Sequence, residues 1–126
     1  FYTYNALYFK ICSQIKWFEK SVDYYQLDDK TSENYNPYCR DLQSIRYMKI
    51  VKRLLEITYL EMSNIDSDNL PKFNIRKGDI PKWILQNLEE NPDYINSNYC
   101  QEYIYLYRCK KLLHKILLED SSAWWD

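Results

Sequence analysis

YCQEYIYLYRCKKLLHKILLED, residues 99–120, decides how the chain is read. It carries two of the four cysteines and the only histidine. Ile104 (with Tyr105), Cys109 (with Leu112), Leu113, Ile116 and Leu117 recur at the spacing of one helix face. Within it, Tyr103-Ile104-Tyr105-Leu106-Tyr107 on its own fits either period. The pattern from Lys110 onward settles the stretch as a helix from Tyr99 to about Glu119. An earlier segment, YCRDLQSIRYMKIVKRLLE at 38–56, echoes it.

Working outward, Phe1 to Gln26 predicts a helix whose stripe is Leu7, Ile11, Ile15, Phe18, Val22 and Tyr25, with Asn5 placed to cap its start. Leu27 to Pro37 is polar and reads as a loop. Tyr38 to Ser63 predicts a second helix. Leu42, Ile45, Met48, Val51, Leu55 and Thr58 form its stripe, and Ile50, Leu54, Ile57 and Leu60 widen it. A stripe that broad implies burial on more than one side. Ile65 to Asp79 is irregular, with turn formers at Asp66, Asp68 and Asn69. A short third helix opens at Asp79-Ile80-Pro81, an aspartate cap with proline in the first turn, and Asn91-Pro92 stops it. Trp83, Ile84, Leu85 and Leu88 supply its buried side. The sum is an all-α fold: a single domain over 1–126, a compact bundle of four to five helices.

The chain has 126 residues, 46% of them hydrophobic and 28% charged, which suits a globular domain with a core of its own. A formal net charge of -1 points away from nucleic acid and gives no global pull toward anionic lipid. A single glycine argues against phosphate-cradling loops and tight hairpins. No 18-residue apolar run is present, so no membrane-spanning helix is expected. Without an initiator Met or a charged-then-apolar leader, the sequence reads as a mature or trimmed product. No Asn-x-Ser/Thr sequon occurs among its asparagines, so N-glycosylation is not expected.

Four cysteines, Cys12, Cys39, Cys100 and Cys109, predict two disulfides stapling a small secreted domain. The competing reading is four reduced, buried cysteines. On one helix Cys100 and Cys109 stand ~13 Å apart, beyond the ~7 Å that a bridge allows, so each must find another partner. That leaves Cys12–Cys109 with Cys39–Cys100, the favoured pairing, or Cys12–Cys100 with Cys39–Cys109. Setting Cys39 on Cys100 also aligns Met48 with Cys109 and Arg53 with His114. A candidate internal repeat follows, 7–62 and 80–119, each unit pairing a tryptophan-bearing helix with a long basic one.

The segments Cys100…Tyr107-x-Cys109 and Cys12…Tyr38-Cys39, in a tyrosine-rich helical chain, resemble the bicycle proteins, salivary effectors that gall-forming aphids inject into plants. Met48 departs from that pattern, standing where a second cysteine would fall in the first half. The resemblance implies secretion and delivery into host tissue, and supplies no molecular activity. A surface or exported protein of an AT-rich parasite is a rival source.

Candidate chemistry is thin. Cys109 and His114, five apart, point to different helix faces and make a poor nucleophile–base pair. No closely spaced ligand pair suggests zinc, and Asp66-x-Asp68 lacks the rest of a calcium loop. Adjacent carboxylates such as Glu89-Glu90 do not converge as acid/base dyads. No enzyme activity, metal or cofactor is expected. Interaction candidates remain: Trp124 and Trp125 in the tail, and two basic clusters, Arg46, Lys49, Lys52 and Arg53, then Arg108, Lys110, Lys111 and Lys115. Tryptophans and tyrosines bury area while keeping a polar handle, as interfaces demand. The tail has a competing reading, in which both indoles fold back onto the bundle. The expectation is a non-catalytic effector that binds a host protein through Trp124, Trp125, Arg46, Lys49, Arg53, Lys110 and Lys111. Peripheral membrane contact through the basic helices is the alternative.

Overall fold

The computed structural model describes residues 2–25, 40–62, 70 and 75–125. Four α-helices follow in order: α1 (Tyr2–Tyr25), α2 (Arg40–Ile57), α3 (Lys82–Glu90) and α4 (Asn98–Asp120). Short 3-10 turns occupy Lys77–Asp79, Pro92–Asn96 and Ser121–Trp124. No strand occurs among the described residues, so the expected all-helical bundle is what forms. Cys39, the loop from 27 to 37 and the Asp66-x-Asp68 stretch lie outside the described residues.

The breadth of the α2 stripe has its predicted consequence: α2 packs against both α1 and α4. Met48, Val51 and Leu55 are wholly buried, meeting Ile11, Ile15 and Phe18 from one neighbour and Leu113 and Ile116 from the other. Burying each such side chain stabilises the fold by roughly 1.5–3 kcal/mol. A second, smaller cluster joins Ile84 of α3 to Cys100 and Ile104 of α4, with Ile80, Leu88 and Tyr94 around it. The first half of α4 therefore serves α3, and its second half serves α1 and α2.

The ends of the helices differ from expectation in instructive ways. Asn5 lies inside α1, which already runs from Tyr2, so it caps nothing. Helix α2 stops at Ile57, where the Thr58 hydroxyl donates to the Leu54 carbonyl at 2.6 Å. Glu61 then adopts φ 50°, the left-handed region where glycine is usual, and turns the chain away. Asp79 does not cap α3; its carboxylate accepts from the Arg76 amide at 3.4 Å and closes the preceding 3-10 turn, while Pro81 stands at the helix start. The cap of α4 is Ser97, whose hydroxyl accepts from the Cys100 amide at 3.1 Å and donates to the Tyr94 carbonyl at 2.9 Å.

The predicted disulfides are corrected. Cys12, Cys100 and Cys109 are free thiols. Cys100 is sealed in the α3–α4 cluster and Cys109 in the main core, so the helix that carries them delivers them to separate places. Burial pushes both thiols above the ordinary value; for Cys109 it outweighs the opposing Tyr105 hydroxyl and Arg108 charge. The reading with reduced, buried cysteines is the one that describes these two. They act as small apolar side chains.

A polar link crosses the α1–α2 contact. The Tyr8 hydroxyl donates to the Glu56 carboxylate at 2.8 Å, and Lys52 and Arg53 stand 3.4 and 3.7 Å from the same group. Burial alone would raise the Glu56 carboxyl. The hydrogen bond and the two cations overcome it and hold the group below its usual range. Hydrogen bonding to Glu56, then burial, pushes the Tyr8 phenol up to about 12. A raised phenol contributes stability that is whole below its unfolded value of 10.0 and fades as pH climbs toward about 12. The lowered Glu56 contributes above 4.5 and loses that contribution in acid.

Two outcomes follow for urea unfolding. Leu55→Ala should cost about 2–5 kcal/mol, whereas Leu118→Ala, at an exposed position of α4, should stay within about 0.5 kcal/mol of the parent. Tyr8→Phe should cost about 1 kcal/mol at neutral pH. Its difference from the parent should hold up to pH 10 and shrink toward about 12, the value to which Tyr8 is raised.

Candidate functional site

The tail is resolved between its two readings. Trp124 is 1% exposed, wedged among α1, α2 and α4, and its carbonyl accepts from the Gln14 side-chain amide at 2.5 Å. Trp125 is half-buried, edge-on to Trp124 with centroids 6.0 Å apart, and the Lys10 ammonium lies 4.6 Å above its ring. Trp124 is thus core, and its indole offers no surface.

The basic candidates lie on two helices, Arg46, Lys49 and Arg53 on α2 and Lys110 and Lys111 on α4. Lys49 reaches the Glu19 carboxylate at 3.5 Å, and Arg53 leans toward Glu56. Lys110 caps the Tyr59 ring at 5.0 Å. Lys111 donates to the Gly78 carbonyl at 2.8 Å and passes 5.7 Å from the Tyr107 ring. Arg46 is exposed. Lys49 and Arg53 nevertheless keep 60% and 63% of their side chains exposed, so these surface pairs hold them weakly.

His114 is exposed, with Nε2 2.9 Å from the Tyr59 hydroxyl. Tyr59 in turn stacks flat on Tyr4, centroids 3.8 Å apart. Burial, with Tyr4 adding to it, pushes the Tyr59 phenol up to about 12. The imidazole therefore faces a reluctant acid, while the Cys109 thiol lies in the core away from it. Among the described residues no three His, Cys, Asp or Glu side chains group as metal ligands. A shallow cleft of about 200 Å³ opens between the start of α2 and the end of α4. Arg40, Tyr47, Glu119 and Asp120 line it over Trp124, with neither thiol nor imidazole at hand.

The most concentrated surface feature lies elsewhere. Trp83 of α3 and Tyr99 and Tyr103 of α4 form a contiguous aromatic cluster, with Trp83 and Tyr103 edge to face at 5.3 Å and Tyr99 and Tyr103 at 4.7 Å. The Tyr99 hydroxyl donates to that of Tyr103 at 3.1 Å. The three remain 43%, 59% and 38% exposed. Ile84, Cys100 and Ile104, buried beneath, fix the two helices and hence the ring positions. The hydrogen bond to Tyr103 is the main reason the Tyr99 phenol is raised.

The sequence reading placed Trp83 on the buried side of its helix, and this is corrected. Ile84 takes the fully buried position, and the indole one residue earlier is turned outward. The four-residue spacing of Tyr99 and Tyr103 was the available signal, since it stacks two rings on one helix face.

No family model, curated protein or solved structure matches this chain.

The two ends of the aromatic inventory should separate in denaturation experiments. Trp124→Ala should cost about 3–5 kcal/mol of stability, whereas Trp83→Ala should cost less than about 1 kcal/mol.

Proposed function

We propose that this chain is a non-catalytic helical effector that acts by binding a host protein through the Trp83–Tyr99–Tyr103 cluster. The exposure of three interlocked aromatic rings above a rigid α3–α4 base is the observation that carries the reading. Solvent-facing rings that already hold one another lose little conformational freedom on docking. Each brings apolar area, and the hydroxyls and indole N–H supply polar handles at the edge. Trp and Tyr dominate the energetics of protein interfaces for these reasons.

The partner is a protein whose surface offers an apolar recess with hydrogen-bond acceptors at its rim. Secretion and delivery to a host rest on the resemblance to the aphid effectors alone, since the free thiols withdraw the argument from cysteine count. The absence of catalysis is in keeping with the lone, phenol-bound histidine and with thiols kept protonated by burial.

The test is a quantitative pull-down from host tissue, with the captured protein identified by mass spectrometry and then titrated in purified form. Trp83→Ser/Tyr103→Ser should weaken binding by at least about tenfold, as expected for two central aromatic contacts, without change in helical circular dichroism. A partner captured equally well by that variant would remove the cluster from the reading.

A further inference from the structure

Helix α1 hides one face against α2 and leaves the other open, and the open face is unusual for a helix that belongs to a core. Phe9 and Trp17 lie on it, 69% and 58% exposed. Eight residues separate them, which is about 12 Å along the axis and about 80° around it. Lys16 and Lys20 project from the same arc, which also holds Ala6 and Ser13, all four exposed; Tyr2 and Tyr24 share that register and Asp23 falls at its edge. Among the described residues neither lysine forms an ion pair. Glu19 borders this face, but Lys49 engages its carboxylate from α2 at 3.5 Å. Lys10, at the opposite border, is drawn over Trp125.

Two large aromatic rings flanked by two exposed lysines, on a helix held by its other side, match a particular kind of surface. We infer that the outer face of α1 is a peripheral docking face for an anionic lipid bilayer. Phe and Trp side chains settle at the level of the headgroups, where their rings leave water without entering the hydrocarbon deeply. Lysine ammoniums at the same height meet the negative potential of acidic phospholipids, each adding about fivefold to the affinity. Charge decides the occupant. The chain as a whole is close to neutral, at -1, so the positive character of this face is local, and a negatively charged plane is its complement. No helix among the described residues is long and apolar enough to cross a membrane, so the contact is superficial. This face is on α1, apart from the α3–α4 aromatic cluster, and the inference does not rest on the host-protein reading.

Co-sedimentation with vesicles tests it. The full chain should pellet with vesicles of phosphatidylserine mixed into phosphatidylcholine, should stay in solution with phosphatidylcholine alone, and should be released as salt is raised. Lys16→Glu/Lys20→Glu should lower the affinity by at least about 25-fold, from the loss of two cations. Phe9→Ser/Trp17→Ser should abolish pelleting at the same lipid concentration. Trp83→Ser/Tyr103→Ser should pellet like the parent, which keeps failure here distinct from failure of the protein-binding reading. Brominated phospholipid should quench the tryptophan emission of the parent and quench the conservative Trp17→Phe variant distinctly less. A parent protein that stays in the supernatant overturns the inference, including the case in which the face serves an acidic protein instead. Parent-level pelleting by either α1 double variant, or quenching undiminished in Trp17→Phe, overturns it as well.

Discussion

One helix has to satisfy two neighbours at once. Helix α2 is apolar over too much of its circumference to be covered from a single side, and the zero exposure of Met48, Val51 and Leu55 shows the result. Helices α1 and α4 must both lie against it, and their own stripes are then consumed. Everything that remains outward, from Phe9 and Trp17 on α1 to Tyr99 and Tyr103 on α4, is what this arrangement could not use. The proposed interaction surfaces are therefore the complement of the core, set by how α2 is packed.

Polar groups sharpen that arrangement. Tyr8 and Glu56 lock the rotation of α1 on α2, because a hydroxyl and a carboxylate 2.8 Å apart tolerate little slippage. Tyr4, Tyr59 and His114 do the same between α1, the end of α2 and α4. Lys111 ties α4 to the turn at Gly78. Tyrosine is suited to such posts. Its ring fills space at the margin of the core while its hydroxyl reaches a partner at the edge. The abundance of tyrosine, fourteen residues in a chain of 126, fits a bundle whose seams are closed at the rim in this way.

The architecture was legible because long amphipathic repeats state their own period. Ile11, Ile15, Phe18 and Val22, or Ile104, Cys109, Leu113 and Ile116, can be read one by one as buried, and they are, whereas Leu112 and Ile50, read into the margins of the same stripes, are exposed. What failed was chemistry decided by neighbours far along the chain. Four cysteines look the same to composition whether bridged or packed, and only the placement of Cys12, Cys100 and Cys109 as free thiols tells the two apart. Asp79 carries the signature of a helix cap, but its carboxylate is taken by the turn before it. Trp83 turns outward against expectation and Trp124, whose two readings the sequence left open, is core, because a nine-residue helix and a tail without a period give little register. Ser97 caps α4 from within a polar stretch where a serine fits a turn as well as a cap, so its role shows only in the fold.

The seat of Trp124 has a bearing on how the chain is made. Its indole completes a core begun by Ile11 and Ile15, and its carbonyl is held by Gln14, 110 positions earlier. A contact spanning 110 positions cannot form until residues 14 to 124 have all emerged, since closure over that distance precedes any reward. Until then the place that Trp124 fills between the first and last helical segments stays open.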